Sequence, residues 1–277
     1  MQSAFFIKSM VEAALAEDIG AGDITAGLIP EDQVSTARVI TRENGIVCGL
    51  AFVREVYRQL DDQLEVELCV VDGDRVTRDE VLFKVHGNTR AILTGERTAL
   101  NFLQMLSGTA TVTAAYVAAI KGTQAQLLDT RKTIPLFRYA QKYAVRCGGG
   151  KNHRMGLFDA FLIKENHIMA KGSIRAAILE AKKVAPGKKI EVEIEHLDQL
   201  EEVIGSGADI VMLDNFSLSQ MKMAVMQNRG RVKLEVSGNI NLENIQSVAS
   251  TGVDYISSGA ITKHIKSMDL SMRLVTV

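Results

Sequence analysis

Cysteine is scarce in this sequence, and its three thiols form no recognisable pattern. Cys48, Cys69 and Cys147 lie far apart, are odd in number and include no Cys-x-x-Cys spacing. Disulfide frameworks and structural zinc sites need cysteines in pairs or clusters at short spacings. The thiols are therefore expected to be reduced, which indicates a cytoplasmic protein.

An excess of positive charge is missing as well. The chain carries 32 Lys and Arg residues against 33 Asp and Glu residues, a formal net charge of -1, and has no long basic run. Nucleic acids and anionic membrane surfaces are bound by clustered basic footprints. The composition excludes a general role on either partner, so any local group of cations needs a small, local anion.

Long apolar runs and the common nucleotide motifs are also absent. No segment offers the roughly 18 consecutive apolar residues of a membrane span, and the first 20 residues lack the cleavage site of a secretory signal. Neither a strand-linked GxGxxG, a GxxxxGK[ST] nor an HExxH occurs. At 47% hydrophobic and 23% charged residues, the composition is that of a soluble globular protein.

The first part of the sequence predicts a small α+β unit. Apolar residues from Ile7 to Leu15 recur at helical spacing, which predicts an opening amphipathic helix. Residues 34–87 read as strands and turns around one helical run, "LAFVREVYRQL". Two further helix-like runs, each ending in glycine, cover residues 89–122 and are predicted to bridge two domains.

The second part alternates short apolar strands with helical runs. This rhythm is typical of βα units that form a parallel sheet, and it favours a small or incomplete (β/α) barrel over a doubly wound sheet. The strands are read at "AQLLDT", "DAFLIKEN", "KIEVEIE", "DIVMLDN", "VKLEVSGN" and "DYISSGA".

Polar residues follow these strands, and in such folds ligands bind at the carboxyl ends of the strands. One face of the sheet is therefore predicted to be the active face. It collects residues 129–132, Lys164, Glu193, Asp214, residues 237–239 and residues 258–260.

The last two strands each end in a Ser-Gly pair, in "EVSGN" and "ISSGA". Free backbone N–H groups before a helix start favour a phosphate, and the final two loops of barrel enzymes often hold one. The alternative is that these glycines only make tight turns.

Three carboxylates alternate with apolar residues in "EVEIE", so Glu191, Glu193 and Glu195 point to one side of the strand. Buried carboxylates are costly unless they are paired or bound to a metal. Glu193, facing Asp214 from the next strand, indicates Mg2+ or ribose hydroxyls. The alternative is salt bridging to cations on the same face.

The cations of the active face are Arg131, Lys132, His153, Arg154 and Lys164. Arginine suits a bidentate grip on planar carboxylates. A solvated basic face is the ordinary explanation for one such residue, but five on one face indicate a pocket for a small polyanion.

Two other readings stay open from the residues alone. Lys164 could be a desolvated Schiff-base lysine, as in barrel aldolases. The run Gly148–Gly150 could cradle an anion or only let the chain turn.

Several long motifs resemble the quinolinate phosphoribosyltransferase family, the decarboxylating enzymes of NAD biosynthesis. The motifs run in order from about Glu17 to the end of the sequence: "EDIGAGDIT", "GERTALNFLQMLSG", "LLDTRKTIP", "KYAVRCGGGKNHRMGLFDAFLIKENHI", "EVEIE", "IVMLDN", "EVSGN" and "ISSGA". The resemblance implies a type II phosphoribosyltransferase fold, with an N-terminal α/β sandwich and a seven-stranded α/β barrel. The sandwich is expected at residues 1–105, joined by the tail 266–277, and the barrel at residues 106–265. The resemblance also implies a homodimer whose active site borrows from the neighbouring subunit.

The resemblance assigns roles to individual residues. Quinolinate binding is implied for Arg131, His153, Arg154 and Lys164, together with Arg97, which would be donated across the dimer. Binding of phosphoribosyl pyrophosphate is implied for Thr130, Lys132, Glu193, Asp214, Ser237, Gly238, Asn239, Ser258, Gly259 and Ala260. Glu193 and Asp214 would also serve Mg2+. His153 is expected to be a carboxylate ligand rather than a proton donor.

One position departs from the family pattern. The family usually has glycine after the proline that follows "TRKT" and one further residue, whereas Pro135 is followed here by Leu136. The departure leaves the conformation of this loop open. The competing functions are a phosphoribosyltransferase for nicotinate or for another carboxylated or pterin-like acceptor, a molybdenum-transport-associated relative, a Schiff-base lyase, and a phosphate-sugar binder without catalysis.

Overall fold

The structure, a computed structural model, describes residues 2–275, with side chains from residue 4 onward. It divides the chain into two compact units. The first comprises the described residues up to Val112 together with those from Ile265, and the second comprises Thr113–His264. The sequence placed the boundary after residue 105 and the returning tail at residue 266.

The first unit contains three helices and six strands within its described residues. The helices are α1 (Gln2–Ile19), α2 (Leu50–Leu60) and α3 (Thr89–Ala119), and α3 continues into the second unit. The strands are β1 (Val34–Thr41), β2 (Gly45–Ile46), β3 (Glu65–Leu68), β4 (Arg75–Val76), β5 (Val81–Asn88) and, from the C-terminal tail, β12 (Leu270–Leu274).

The main sheet of this unit is antiparallel, with the order β12-β1-β5-β3. The tail returns to it, since Val39 of β1 lies opposite Met272 of β12. Aromatic rings fill the core beneath: Phe52 of α2 stacks on Phe102 of α3 at 4.6 Å between ring centroids. The α+β character expected for this part of the chain is thereby present.

By length and composition alone, α3 could cross a membrane, but half of its most apolar window is buried inside the protein. Its packing is that of a core helix. A side chain at Gly95 would press on Tyr57, and one at Gly108 would overlap the backbone carbonyl of Lys266.

The second unit alternates strands and helices, which confirms the α/β fold. Its strands are β6 (Gln126–Leu128), β7 (Phe161–Ile163), β8 (Ile190–Ile194), β9 (Ile210–Asp214), β10 (Lys233–Ser237) and β11 (Tyr255–Ser257). Its own helices are α4 (Arg138–Cys147), α5 (Glu165–Lys171), α6 (Ile174–Val184), α7 (Leu200–Ser206), α8 (Leu218–Asn228), α9 (Ile245–Ala249) and α10 (Ala260–Lys263).

These strands form one parallel sheet in the order β6-β11-β10-β9-β8-β7. Of the seven strands implied by the resemblance, six form among the described residues, and the seventh place is a single parallel bridge from Lys151 to Leu128 of β6. The register brings strand ends together at one edge, for example Ser237 opposite Asp214.

Candidate active site

A cavity of about 670 Å³ lies at the carboxyl ends of the strands. Most of the residues predicted from the sequence line it: Thr130, Arg131, Lys132, His153, Arg154, Lys164, Glu193, Asp214, Ser237, Gly238 and Asn239. The predicted active face therefore corresponds to one concave site.

Part of the lining is cationic, called the cationic half below, and it includes two arginines, Arg131 and Arg154. Burial, and next to it the nearby Arg131 guanidinium, lowers the pKa of Arg154 below its usual value. The Arg154 side chain is aimed by a hydrogen bond that Nη1 donates to the Ala160 carbonyl, at 3.3 Å. Two like charges held close together repel each other, and a bound anion would relieve that repulsion. This half of the cavity therefore suits a ligand with more than one negative charge.

His153 has both ring nitrogens engaged by the protein. Its Nδ1 accepts a hydrogen bond from the backbone N–H of Arg154 at 2.8 Å, so the ring hydrogen lies on Nε2. Nε2 then donates to Glu191 Oε2, also at 2.8 Å. The imidazole is thus fixed in tautomer and orientation at the base of the cationic half.

An ion pair between Lys142 and Asp129 supports His153 from behind, and both side chains are completely buried. Asp129 accepts the backbone N–H of His153 at 2.9 Å, while Lys142 donates to the backbone carbonyl of His153 at 2.9 Å. Asn152 completes the cluster by donating to Asp129 Oδ2 at 2.5 Å. The cluster ties the end of β6 to the segment that carries His153 and Arg154.

The electrostatics of this pair are set by the loss of water. Burial raises the pKa of Asp129 and lowers the pKa of Lys142, and the attraction between the two charges opposes both shifts. Each charge is therefore tolerated in the interior only because the other is present.

The acids of the lining that the sequence predicted are Glu193 and Asp214, called the acidic half below. Glu193 is ion-paired with Lys164, so the internal salt bridge left open by the sequence is formed at this residue. Asp214 accepts a hydrogen bond from the Asn215 side chain at 2.9 Å. Glu195, the third acid of its strand, follows the end of β8 and is exposed.

The loop after β10 needs its glycine. Gly238 has a φ of +108°, and a Cβ there would overlap the side chain of Asn215 and lie 3.1 Å from its backbone nitrogen. Helix α9 begins only at Ile245. Backbone N–H groups of the loop, rather than a helix N-terminus, are what this loop offers to an anion.

The loop after β11 braces the site from outside the lining. Ser258 is buried and its hydroxyl donates to the Ile240 carbonyl at 3.1 Å. A Cβ at Gly259 would lie 2.8 Å from the Lys132 side chain, so glycine lets that lysine pass. Ser258, Gly259 and Ala260 therefore do not line the cavity, in contrast to the first Ser-Gly loop.

The glycine run, Lys164 and Arg97 were also singled out from the sequence. The run Gly148–Gly150 makes a turn: Gly149 has a φ of +86°, and Gly150 packs tightly against Val145 and Thr113. Lys164 is half-exposed and ion-paired rather than desolvated. Arg97 is absent from the lining and lies exposed on α3, in the first unit.

Sequence reasoning missed several lining residues: Leu162, Met212, Asn215, Glu235 and Ser257. Glu235 could have been found, because it alternates with Leu234 and Val236 in the same way as the glutamates of "EVEIE". The apolar members have no comparable signal, since Leu and Met are ordinary residues of a buried strand.

Both units of the chain match the models of one protein family. Residues 23–107 match the family model described as "Quinolinate phosphoribosyl transferase, N-terminal domain". Residues 109–273 match the one described as "Quinolinate phosphoribosyl transferase, C-terminal domain".

The chain belongs to the quinolinate phosphoribosyltransferase family.

Individual relatives of this family are similar over nearly their whole length. The structure of the nicotinate-nucleotide pyrophosphorylase from Francisella tularensis superposes with a TM-score of 0.96 at 54% identity, covering 98% of this chain and 97% of that one. The probable nicotinate-nucleotide pyrophosphorylase [carboxylating] of Bacillus subtilis is 42% identical over 267 residues, covering 96% of this chain and 92% of the relative. The quinolinate phosphoribosyltransferase [decarboxylating] 2, mitochondrial, of Nicotiana glauca is 40% identical, covering 98% and 82%.

Proposed function

We propose that the chain transfers the phosphoribosyl group of phosphoribosyl pyrophosphate to quinolinate and releases CO2. The products are nicotinate mononucleotide, pyrophosphate and CO2. The observation that carries the proposal is that one cavity is lined both by a cationic set that includes Arg131 and Arg154 and by the acids Glu193 and Asp214. The relatives described above bear names of the same activity.

The cationic half is the proposed quinolinate site. Quinolinate carries two neighbouring carboxylates, and a pair of arginines can bind them through bidentate, charge-assisted hydrogen bonds. Lys164 adds a third cation, and His153 fixes the backbone position of Arg154 through its ring nitrogen. Neutralisation by the ligand also removes the repulsion between the two guanidinium groups.

The acidic half is the proposed site for the ribose and for Mg2+. Glu193 Oε2 is bound by Lys164, and each carboxylate keeps an oxygen for another partner. Mg2+ takes oxygen ligands and is commonly held by one or two carboxylates together with substrate phosphates, so Glu193 and Asp214 fit it. When bound, the ion would neutralise charge on the pyrophosphate leaving group.

The remaining residues orient the phosphates. Ser237, Gly238, Asn239 and Lys132 line the same cavity as the acids, and we propose that their N–H groups and the Lys132 ammonium bind the phosphates. The side chain of Lys132 is guided by Gly259, and the backbone of Lys132 is held by Thr262 Oγ1, which donates to its carbonyl at 2.8 Å. With both substrates bound, the pyridine nitrogen is aligned with C1 of the ribose, and alignment alone can supply much of the rate.

A homodimer is proposed on the basis of Arg97. Its guanidinium is exposed on α3, and we propose that it enters the quinolinate site of a second copy of the chain. Quinolinate and phosphoribosyl pyrophosphate are the proposed partners, with no role for nucleic acid or a membrane, and the proposed location is the cytoplasm.

A product assay tests the proposal. The purified chain is incubated with quinolinate, phosphoribosyl pyrophosphate and Mg2+, and nicotinate mononucleotide is measured by chromatography. Product that depends on both substrates and is lost with a chelator supports the proposal. Turnover of nicotinate in place of quinolinate would instead identify the related nicotinate phosphoribosyltransferase, and absence of any nucleotide product would refute phosphoribosyl transfer.

A further inference from the structure

Glu235 lies between two cavities. It lines the active-site cavity and also a second cavity of about 320 Å³. The second cavity is lined by the first residues of four strands, so it lies at the opposite edge of the sheet: Gln126, Phe161, Ile210 and Tyr255. Exposed Lys151 and Lys189 also line it, so it reaches the surface.

The carboxyl group of Glu235 is buried without the hydrogen bonds that buried carboxyl groups usually make. The side chain is completely buried, and neither of its oxygens has a hydrogen-bond partner among the described residues. Its polar neighbours include Ser257, Glu191, which is also buried with one unpartnered oxygen, and His153, whose Nε2 lies 3.7 Å from Glu235 Oε1. Burying such a group without a partner is costly, so the position calls for a function.

A metal ion does not explain the cluster well. Atoms of His153, Glu191 and Glu235 that could bind a metal lie within 4.8 Å of one another. A metal on His153 Nε2 would require Nδ1 to carry the ring hydrogen and donate it. Nδ1 instead accepts the N–H of Arg154. Two buried carboxyl groups this close are instead compatible when one of them, Glu235, keeps its proton.

The proposed reaction needs a proton donor in the cavity that Glu235 lines. When the C–C bond to the carboxylate at C2 breaks, CO2 leaves and the electron pair remains on C2 beside the pyridinium nitrogen. A C–H bond must then form at C2. Glu235 lines the same cavity as His153 and Arg154, beside which the dicarboxylate is proposed to bind, and His153 Nε2 lies 3.7 Å from Glu235 Oε1.

We infer that Glu235 is the acid that protonates C2 of the pyridine ring after CO2 has left, and that water in the second cavity returns the proton to it. The inference rests on the function proposed above. In the step, the Glu235 O–H bond breaks, the C2–H bond forms and the carboxylate is left on Glu235. Water from the solvent then supplies a proton through the second cavity, which restores the acid.

The electrostatics agree with this role. Burial, and next to it the negative charge of Glu191, raises the pKa of Glu235 well above its usual value, which favours the protonated form. A carboxylic acid kept neutral by its surroundings is a common source of protons in enzymes.

The test compares Glu235→Gln with Glu195→Gln, which changes an exposed glutamate outside the cavity lining in the same way. Each protein is given quinolinate, phosphoribosyl pyrophosphate, Mg2+ and isotopically labelled bicarbonate. Quenched samples are analysed for nicotinate mononucleotide and for label in the dicarboxylated nucleotide. If protonation is slow, the carbanion recaptures CO2 and the label enters this nucleotide.

For Glu235→Gln we expect formation of nicotinate mononucleotide to fall by about a hundredfold or more, as is typical when a general acid is lost. We also expect label in the dicarboxylated nucleotide, unchanged binding of quinolinate, and partial recovery in Glu235→Asp, which keeps an acidic proton. Glu195→Gln should match the wild type. A wild-type rate in Glu235→Gln, or a slow rate without label exchange, would overturn the inference. An inactive wild type would refute the proposed function instead, so the two failures are distinguishable.

Discussion

Lys142 and Asp129 form an ion pair that is completely buried and that holds both backbone polar groups of His153, the carbonyl through Lys142 and the N–H through Asp129. Asp129 directly precedes Thr130, Arg131 and Lys132 of the cavity lining. One buried pair therefore sets the relative position of the two segments that supply most of the cations.

Removing one member of this pair should be severe. Lys142→Met leaves the Asp129 charge buried without a partner, and we expect a loss of about 3–5 kcal/mol in the free energy of unfolding. Urea denaturation monitored by circular dichroism measures it. Lys233→Met is the matched control, because its ion pair with Asp254 lies at the surface and its loss should have little effect. Equal losses in the two variants would contradict the assigned role of Lys142.

The loop that contains Leu136 keeps a backbone conformation suited to glycine, although leucine replaces the glycine that is usual in the family. It has a φ of +63° and is 84% exposed, so the backbone keeps the left-handed conformation that glycine favours. A non-glycine residue pays roughly 1–2 kcal/mol there, and glycine brings back about 0.5–1 kcal/mol of entropy cost. Leu136→Gly should therefore be neutral or stabilising by up to about 1 kcal/mol.

The control for this variant is Leu157→Gly. Leu157 is 73% exposed and is not among the residues with positive φ. Glycine gains no conformational advantage at such a position, so we expect a loss of about 0.5–1 kcal/mol. If thermal melts rank Leu136→Gly below Leu157→Gly, the loop does not have the strain described here.

The cationic half should be needed for one substrate and not for the other. Arg154→Ala and Arg131→Ala each remove charge-assisted hydrogen bonds worth about 1.5–3 kcal/mol, so the affinity for quinolinate should fall about 10- to 100-fold. Calorimetric titration with phosphoribosyl pyrophosphate and Mg2+ should be nearly unchanged. Arg146→Ala, which removes an arginine stacked 5.6 Å from the Tyr143 ring centroid, serves as the control. Equal loss of both substrates would contradict the division of the cavity.

The free energy of unfolding should depend on pH through the ionisation of Glu235. Its pKa is raised in the folded state by burial and by Glu191, with a smaller effect of Asp129. A carboxyl group of this kind contributes its full stability below its unfolded pKa, and the contribution is lost as the pH rises through the folded pKa. His153 faces it as well, with Nε2 3.7 Å away.

Glu235→Gln removes this dependence because the amide does not ionise. Its advantage over the wild type in unfolding free energy should grow by up to about 1.4 kcal/mol for each pH unit between the unfolded and the folded pKa of Glu235, and should level off above the folded pKa. Melting temperatures measured from acidic to alkaline pH test it. A constant difference between the two proteins across this range would show that Glu235 is not perturbed.

The sequence alone could predict most of the cavity, and the reason is geometric. Parallel strands place their carboxyl ends at one edge of the sheet, so the sequence could predict that Glu193, Asp214 and Ser237 lie in one site. Ser258 was placed on the same edge by this logic but is absent from the cavity lining, and the local sequence does not show that its hydroxyl donates to the Ile240 carbonyl.

Long-range pairs were beyond sequence reasoning for a similar reason. Lys142 lies in a helix with charged neighbours and has the sequence context of a surface residue. Only the fold shows that it is buried and ion-paired with Asp129. The backbone of Leu136 was equally hidden, since leucine itself gives no signal for a left-handed conformation. Contacts between segments that are distant in sequence depend on the packing of the whole fold, so the local sequence of either segment does not reveal them.

The most direct test of the account follows the carboxylate at C2. Quinolinate labelled in that carboxylate is mixed with the purified protein, phosphoribosyl pyrophosphate and Mg2+, and labelled CO2, pyrophosphate and nicotinate mononucleotide are measured together. The account predicts that the three appear in equal amounts and only when both substrates are present. Release of pyrophosphate without labelled CO2, or of CO2 without nucleotide, would contradict it.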